Sequence, residues 1–301
     1  MENQQNKTCQ TTCETALLAL RQEIDQIDNQ IISLLVQRME VIARVGELKK
    51  NHQEKFFIRS NREADMIKDL VKKSGNILPK STIISIWRKI ITTANMHEQP
   101  LRIAIHNPNN IPDYTYLVKE YYNDLVPFHN FDSATNVVME MEKGDAQIGV
   151  FALPKDEHDG GREDAKENWW IALANNRLGL KVFAKIPFFE FLDVEKNNNK
   201  IELVAVAAKN PEKSSDDNSL LYVEVSKETS RATILAALKE NNLDAKILKS
   251  VKLQQVEGIV FYLIEVRGFY LEEDKVIKAF SKSKAKAYVK VLGHYATAIK
   301  I

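Results

Sequence analysis

LLALRQEIDQIDNQIISLLVQRMEVIARVGELK, running from Leu17 to Lys49, contains no proline and one glycine, Gly46. Leu20, Ile24, Ile27, Ile31, Leu35, Ile42 and Val45 recur at spacings of three, four or seven residues, so on an α-helix they form one apolar stripe. Extended from Thr15 to about Asn51, the pattern predicts a helix of about 35 residues, roughly 50 Å long at 1.5 Å per residue. A helix of that length overhangs any domain of a hundred residues. Arg38 lies in the register of this stripe, a permanent cation on the face that should be buried. A single Arg or Lys on a helix is more often a solvated or snorkelling side chain. Arg38, however, has a companion in Lys49, eleven residues on, which is three turns plus about 20° and about 16 Å along the same face. Two long side chains so placed converge on a small anion between them. Arg21 stands 17 residues before Arg38, about 25 Å away, and reaches such an anion only from a second, antiparallel copy of the helix.

The segment HQEKFFI interrupts the helical pattern, a second helix is predicted from about Ser60 to Lys73, and SGN stops it. Pro79 opens a third, carrying Ile83, Ile84, Ile86, Trp87, Ile90 and Ile91 toward Pro100. Three helices so unequal cannot bury the long stripe alone, and a self-complementary dimer is the economical solution.

Composition bounds what remains. The 301 residues allow two or three domains, and 44% hydrophobic with 8% aromatic residues is ordinary for a folded soluble chain. Forty-two Lys and Arg against 41 Asp and Glu leave a formal charge of +1, so no global basic field recruits nucleic acid or a membrane. Cys9 and Cys13, the two cysteines, are read as free thiols in a reducing cytoplasm, and the six histidines show no metal-ligand spacing. No signal peptide or membrane span is expected.

After Pro100 the pattern shifts to short β-rich runs, LRIAIH, AQIGVFALP, GLKVFAKI and IELVAVAAK, with helical segments between them, which predicts a small α/β domain over 101–212. The polar run NPEKSSDDNS reads as a linker. From 218 to 301 the order strand, helix, strand, strand, helix, strand predicts an α+β ferredoxin-like arrangement. Trp169 and Trp170 in ENWWIAL are read as packing residues, and the basic run SKSKAKAYVK as a solvated face.

Residues 16–98, with L-x-x-L-R-x-x-I-D-x-I-D-x-x-I at Leu17 onward, Arg38, Gly46, Lys49 and the NREADMI run holding Arg62 and Glu63, resemble the all-helical class of chorismate mutase. That resemblance implies an all-α three-helix domain over 1–99, paired in an intertwined homodimer with two equivalent pockets, and the rearrangement of chorismate to prephenate in phenylalanine and tyrosine biosynthesis. The step is pericyclic and calls for no nucleophile, metal or cofactor; holding the reactive conformer and aiming donors at the ether oxygen suffice. By similarity, Arg21 of the second chain and Arg38 clamp carboxylates, Lys49 donates to the ether oxygen and a carboxylate, Glu63 accepts the ring hydroxyl, and Glu98 is the second donor to the ether oxygen. Two positions depart from the pattern: Arg59 stands where some members are acidic, and Ala94 where some carry a serine, a loss of one hydrogen bond of order 1 kcal/mol.

FYLIEVRGFYLEEDKVIKAF followed by AYVKVLGHYA resembles the ACT domain of prephenate dehydratases, which implies an aromatic amino acid effector bound between two copies. The family's two binding motifs are reduced here to Ala232, Thr233 and Ile234 with Leu238, and to Ser250. The middle segment resembles one lobe of the dehydratase catalytic domain, but T-R-F is absent and LPKDEHDGG replaces P-x-E-N-S, so it reads as degenerate. A bifunctional mutase and dehydratase, and a non-catalytic regulatory or sensing subunit, are the alternatives. The missing T-R-F argues against the first and the inward cations against the second.

Overall fold

The computed structural model describes residues 2–51, 56–75, 77–154, 168–193, 195, 200–253 and 256–301, and the side chains of all of these except residues 2–13 and 49–51. The chain divides into two units, residues 1–55 and 56–301. The first is one uninterrupted helix, α1 (Glu2–Asn51), of 50 residues. It begins earlier than the apolar stripe because the polar residues before Thr15 include no proline or glycine, and Glu, Gln and Lys are good helix formers. Leu20, Ile24, Ile27 and Ile31 along it are 48–56% exposed.

The second unit opens with a helical hairpin, α2 (Ser60–Lys73) and α3 (Lys80–Glu98), at the positions that the stop signals and Pro79 predict. Spacings of three and four put Ala64, Ile67 and Val71 on one buried face of α2. They pack with Ile83, Ile84 and Ile91 of α3 into a core shared with β1 (Ile103–His106), α4 (Pro112–Tyr122) and β4 (Leu180–Ile186). The polar run before the C-terminal segment is not a free tether. Glu212 pairs with Arg59 at 2.7 Å, the Lys213 carbonyl accepts from Asn61, and the Ser215 amide and hydroxyl donate to Asp65. Polar composition marks a loop; it does not say whether the loop's side chains and carbonyls are recruited by a neighbouring helix.

Behind the hairpin lies one nine-stranded mixed sheet. Besides β1 and β4 it takes in β2 (Phe128–Phe131), β3 (Ile148–Ala152), β6 (Leu203–Ala208), β7 (Asp217–Ser226), β8 (Ala245–Val251), β9 (Ile259–Arg267) and β10 (Tyr288–Ala296), in the order β2-β1-β3-β6-β4-β10-β7-β9-β8. The short β5 (Phe189–Glu190) and β11 (Ile299–Lys300) pair separately. β1 to β3 are parallel neighbours with α4 and α5 (Ala134–Lys143) as crossovers. The last four long strands are antiparallel and, with α7 (Arg231–Glu240) and α8 (Lys275–Lys282), give the β-α-β-β-α-β order expected of 218–301. Trp169 and Trp170, on α6 (Trp169–Ala174), are buried against Tyr222, Phe261, Leu263 and Tyr295, which bears out their reading as packing residues.

The two halves of the sheet join at one register pair, Gly293 on β10 with Val182 on β4, next to a bulge in β10. Gly293 has φ +143°, and a Cβ there would lie 2.2 Å from the Val182 carbonyl oxygen and 2.4 Å from its nitrogen. Backbone cannot give way as a flexible side chain does, so Gly293→Ala should cost about 3 kcal/mol or more. Gly258→Ala, at φ +81° with open space around it, should cost only about 1–2 kcal/mol. Urea unfolding of the two variants side by side checks the difference; equal midpoints would mean that the joint relaxes freely.

Below the joint, Lys185 is buried and pairs with Glu202 at 3.0 Å and Glu190 at 3.2 Å, while the Tyr295 hydroxyl donates to Glu265. Burial pushes the Lys185 ammonium down, but Glu202, Glu265 and Glu190 outweigh it and hold its pKa above the ordinary lysine value.

Candidate active site

α1 carries three of the predicted site residues. Its unbroken backbone keeps Arg21, Arg38 and Lys49 at helical spacing, about 25 Å and about 16 Å apart along the axis. Arg21 is exposed and Arg38 half-buried. The Lys49 side chain lies outside the described residues, as do those of Cys9 and Cys13, and so does residue 155–161 of the LPKDEHDGG stretch.

The other two, Glu63 and Glu98, belong to the second unit, and Glu63 comes first along the chain. It sits in the first turn of α2, where an acid complements the helix dipole. Both its oxygens are engaged from α3: Arg88 Nη1 donates to Oε2 at 3.0 Å and Asn95 Nδ2 donates to Oε1 at 3.1 Å. A carboxylate offers about four lone-pair directions, so two bonds orient it and leave two directions open. Arg88 is 4% exposed, and its guanidinium lies 4.3 Å from the Tyr121 ring centre and 5.2 Å from that of Phe188. Burial holds the Tyr121 phenol up at about 12, against the opposing pull of Arg88, so it stays protonated at any working pH. Neither Arg88 nor Asn95 was singled out from the sequence. The signal was present, since Arg88 interrupts the apolar run IISIWRKII much as Arg38 interrupts the stripe of α1.

Glu98 is the last residue of α3, half-buried, one turn beyond Asn95. Gln99 follows as its C-cap and accepts from the Phe57 amide at 3.3 Å, tying the end of α3 to the segment that enters α2. Arg59, the departure before α2, spends its charge on Glu212, and Ala94 is 5% exposed in the core. Among the described residues no group of three His, Cys, Asp or Glu side chains is placed to hold a metal ion. No helix among them is long and apolar enough to cross a membrane.

Residues 20–99 match the model of the family described as chorismate mutase type II, and this stretch therefore carries a chorismate mutase sequence. The bifunctional chorismate mutase/prephenate dehydratase of Aquifex aeolicus is 25% identical over 139 residues, a match of 44% of this chain and 38% of that protein. The chain thus spans about two fifths of the length of that relative. The match is longer than the family model's stretch, so the similarity continues beyond the helical residues. Among solved structures, one described as a novel type of quorum-quenching acylase covers 65% of this chain and 95% of its own, at 14% identity and a TM-score of 0.46. The prephenate dehydratase of Streptococcus mutans covers 67% and 100%, at 14% identity and a TM-score of 0.44. Likeness at that level carries no argument about function.

Proposed function

We propose that the protein is a chorismate mutase, converting chorismate to prephenate in a pocket shared by two copies of the chain. The observation that carries this is the match of residues 20–99 to chorismate mutase type II, with Arg21, Arg38, Lys49, Glu63 and Glu98 each at the position that the resemblance requires. In this reading Arg21 of one copy and Arg38 of the other hold the two carboxylates, Lys49 donates to the ether oxygen and a carboxylate, Glu63 accepts the ring hydroxyl, and protonated Glu98 donates to the ether oxygen. Glu63 suits its role, because Arg88 and Asn95 fix its orientation in advance. The homodimer is supported by the apolar face of α1, whose Leu20, Ile24, Ile27 and Ile31 are about half exposed in one chain.

We further assign 1–99 to the mutase domain, 101–212 to a degenerate dehydratase-like α/β domain, and 218–301 to an ACT-like domain as the seat of any aromatic amino acid effector. The β-α-β-β-α-β order of the last segment supports that division. A bifunctional mutase and dehydratase is the second reading, favoured by the extension of the Aquifex aeolicus match past the helical residues; the absent T-R-F stands against it.

Incubating the purified protein with chorismate separates these. Loss of chorismate with accumulation of prephenate, which then persists at neutral pH, is the expected result. Phenylpyruvate forming above the uncatalysed rate would establish the bifunctional enzyme, and no protein-dependent loss of chorismate would leave the non-catalytic alternative.

A further inference from the structure

The two groups that hold Glu63 differ in kind. Arg88 grips Oε2 with a buried charge that balances the carboxylate. Asn95 grips Oε1 with a neutral amide, which adds no charge, so what it contributes is direction. A carboxylate fastened at one oxygen can turn about that bond; a second bond at the other oxygen fixes its plane. Asparagine is a weak helix former because its side chain competes for nearby backbone groups. In the last turn of α3 it reaches across to α2 instead. Along α3 the order is Arg88, Asn95, Glu98, about 10 Å and about 4.5 Å apart along the axis and within about 80° around it. Oε1 is therefore held from the Glu98 end of the helix and Oε2 from the far end.

We propose that Asn95 is the positioning residue through which the mutase selects for the ring hydroxyl of its substrate, an inference that rests on the mutase reading. In that reading Glu98 marks the ether oxygen. The ring hydroxyl of chorismate is on the adjacent ring carbon, so its acceptor has to lie beside Glu98. Oε1 of Glu63 is that acceptor: Asn95 takes one of its lone-pair directions and leaves the other for the hydroxyl. Arg88, bound to the opposite oxygen from two turns away, sets charge balance and stability rather than selectivity. Asn95 acts through Glu63 and need not touch the substrate. Without it the carboxylate keeps its charge partner and loses its aim, which weakens the contact with the hydroxyl and no other.

The test sets two compounds against the full chain and its Asn95→Ala variant: chorismate as substrate, and the analogue with hydrogen in place of the ring hydroxyl as competitive inhibitor. In the variant kcat/KM for chorismate should fall by about fivefold or more, chiefly through KM, because the hydroxyl keeps its bond throughout the rearrangement. The inhibition constant of the analogue should change by less than about twofold, since that compound makes no contact with Oε1. A bond that merely fastens α2 to α3 would lower the melting temperature and weaken both compounds alike. Asn95→Gln, which keeps the amide, should recover part of the lost preference. Asn95 is half-buried and alanine is the best helix former, so the alanine variant should fold; Asn95→Leu, nearer to asparagine in volume, takes its place otherwise, with the same result expected. With a wild type that turns over chorismate, equal effects on the two compounds, or none on either, would overturn this inference alone. A wild type inert toward chorismate would overturn the mutase reading and this inference with it.

Discussion

Arg88→Ala should lower the stability of the second unit by about 3–5 kcal/mol, the range for removing one partner of a buried ion pair. The side chains of Arg88 and Glu63 are 5% and 12% exposed, so little solvent screens the pair and little reaches the carboxylate that would be left behind. Asn95 alone would then hold a charge that the guanidinium now balances, and the contacts of Arg88 with Tyr121 and Phe188 would go as well. Removing both charges is a different experiment. Arg88→Leu with Glu63→Leu leaves no unpaired ion, so the double variant should recover most of the loss, and a double-mutant cycle by urea unfolding gives the coupling. A cost below about 1 kcal/mol for Arg88→Ala would mean that the pair behaves as a solvated one.

Glu98 gives the second large effect, on turnover rather than folding. As a donor to the ether oxygen it works only when protonated; ionised, it would repel the negative charge that develops there as the bond breaks. Glu98→Gln supplies an N–H donor in the same place, so it should keep activity. Glu98→Ala should cost about 2–4 kcal/mol of transition-state stabilisation. Measuring kcat for the wild type, Glu98→Gln and Glu98→Ala decides the point; an alanine variant as fast as the wild type would remove Glu98 from the mechanism.

The parts of the fold that local chemistry dictates were legible in the sequence. α2 and α3 lie where SGN and Pro79 place their ends, and the strands of the C-terminal segment follow their β-branched runs. Long-range choices were not legible. Nothing local announces that Gly293 will meet Val182 and join the two halves into one sheet, because a single pair beside a bulge has no periodic signature. β2, reading FHNF, escaped notice because a half-buried edge strand of four residues need not be continuously apolar. The candidate site divides in the same way. Arg38 and Lys49 declare themselves by standing in one register of one helix. The partners of Glu63 come from another helix, 25 and 32 residues on, and only the packing of α2 on α3 brings them to it.

The central claim is a mutase pocket built from two chains, with Arg21 on one and Arg38 and Lys49 on the other. Arg21→Ala and Lys49→Ala should each be nearly inactive alone, since each removes one cation from both pockets of a homodimer. In a dimer of one variant chain with the other, one pocket carries both lesions and the other carries neither. The measurement is the rate of prephenate formation from chorismate after the two variants are unfolded together and refolded as an equal mixture. About half the chains are then in mixed dimers with one intact pocket each, so about a quarter of wild-type activity should return. Activity no greater than that of the two variants refolded apart would contradict the shared pocket.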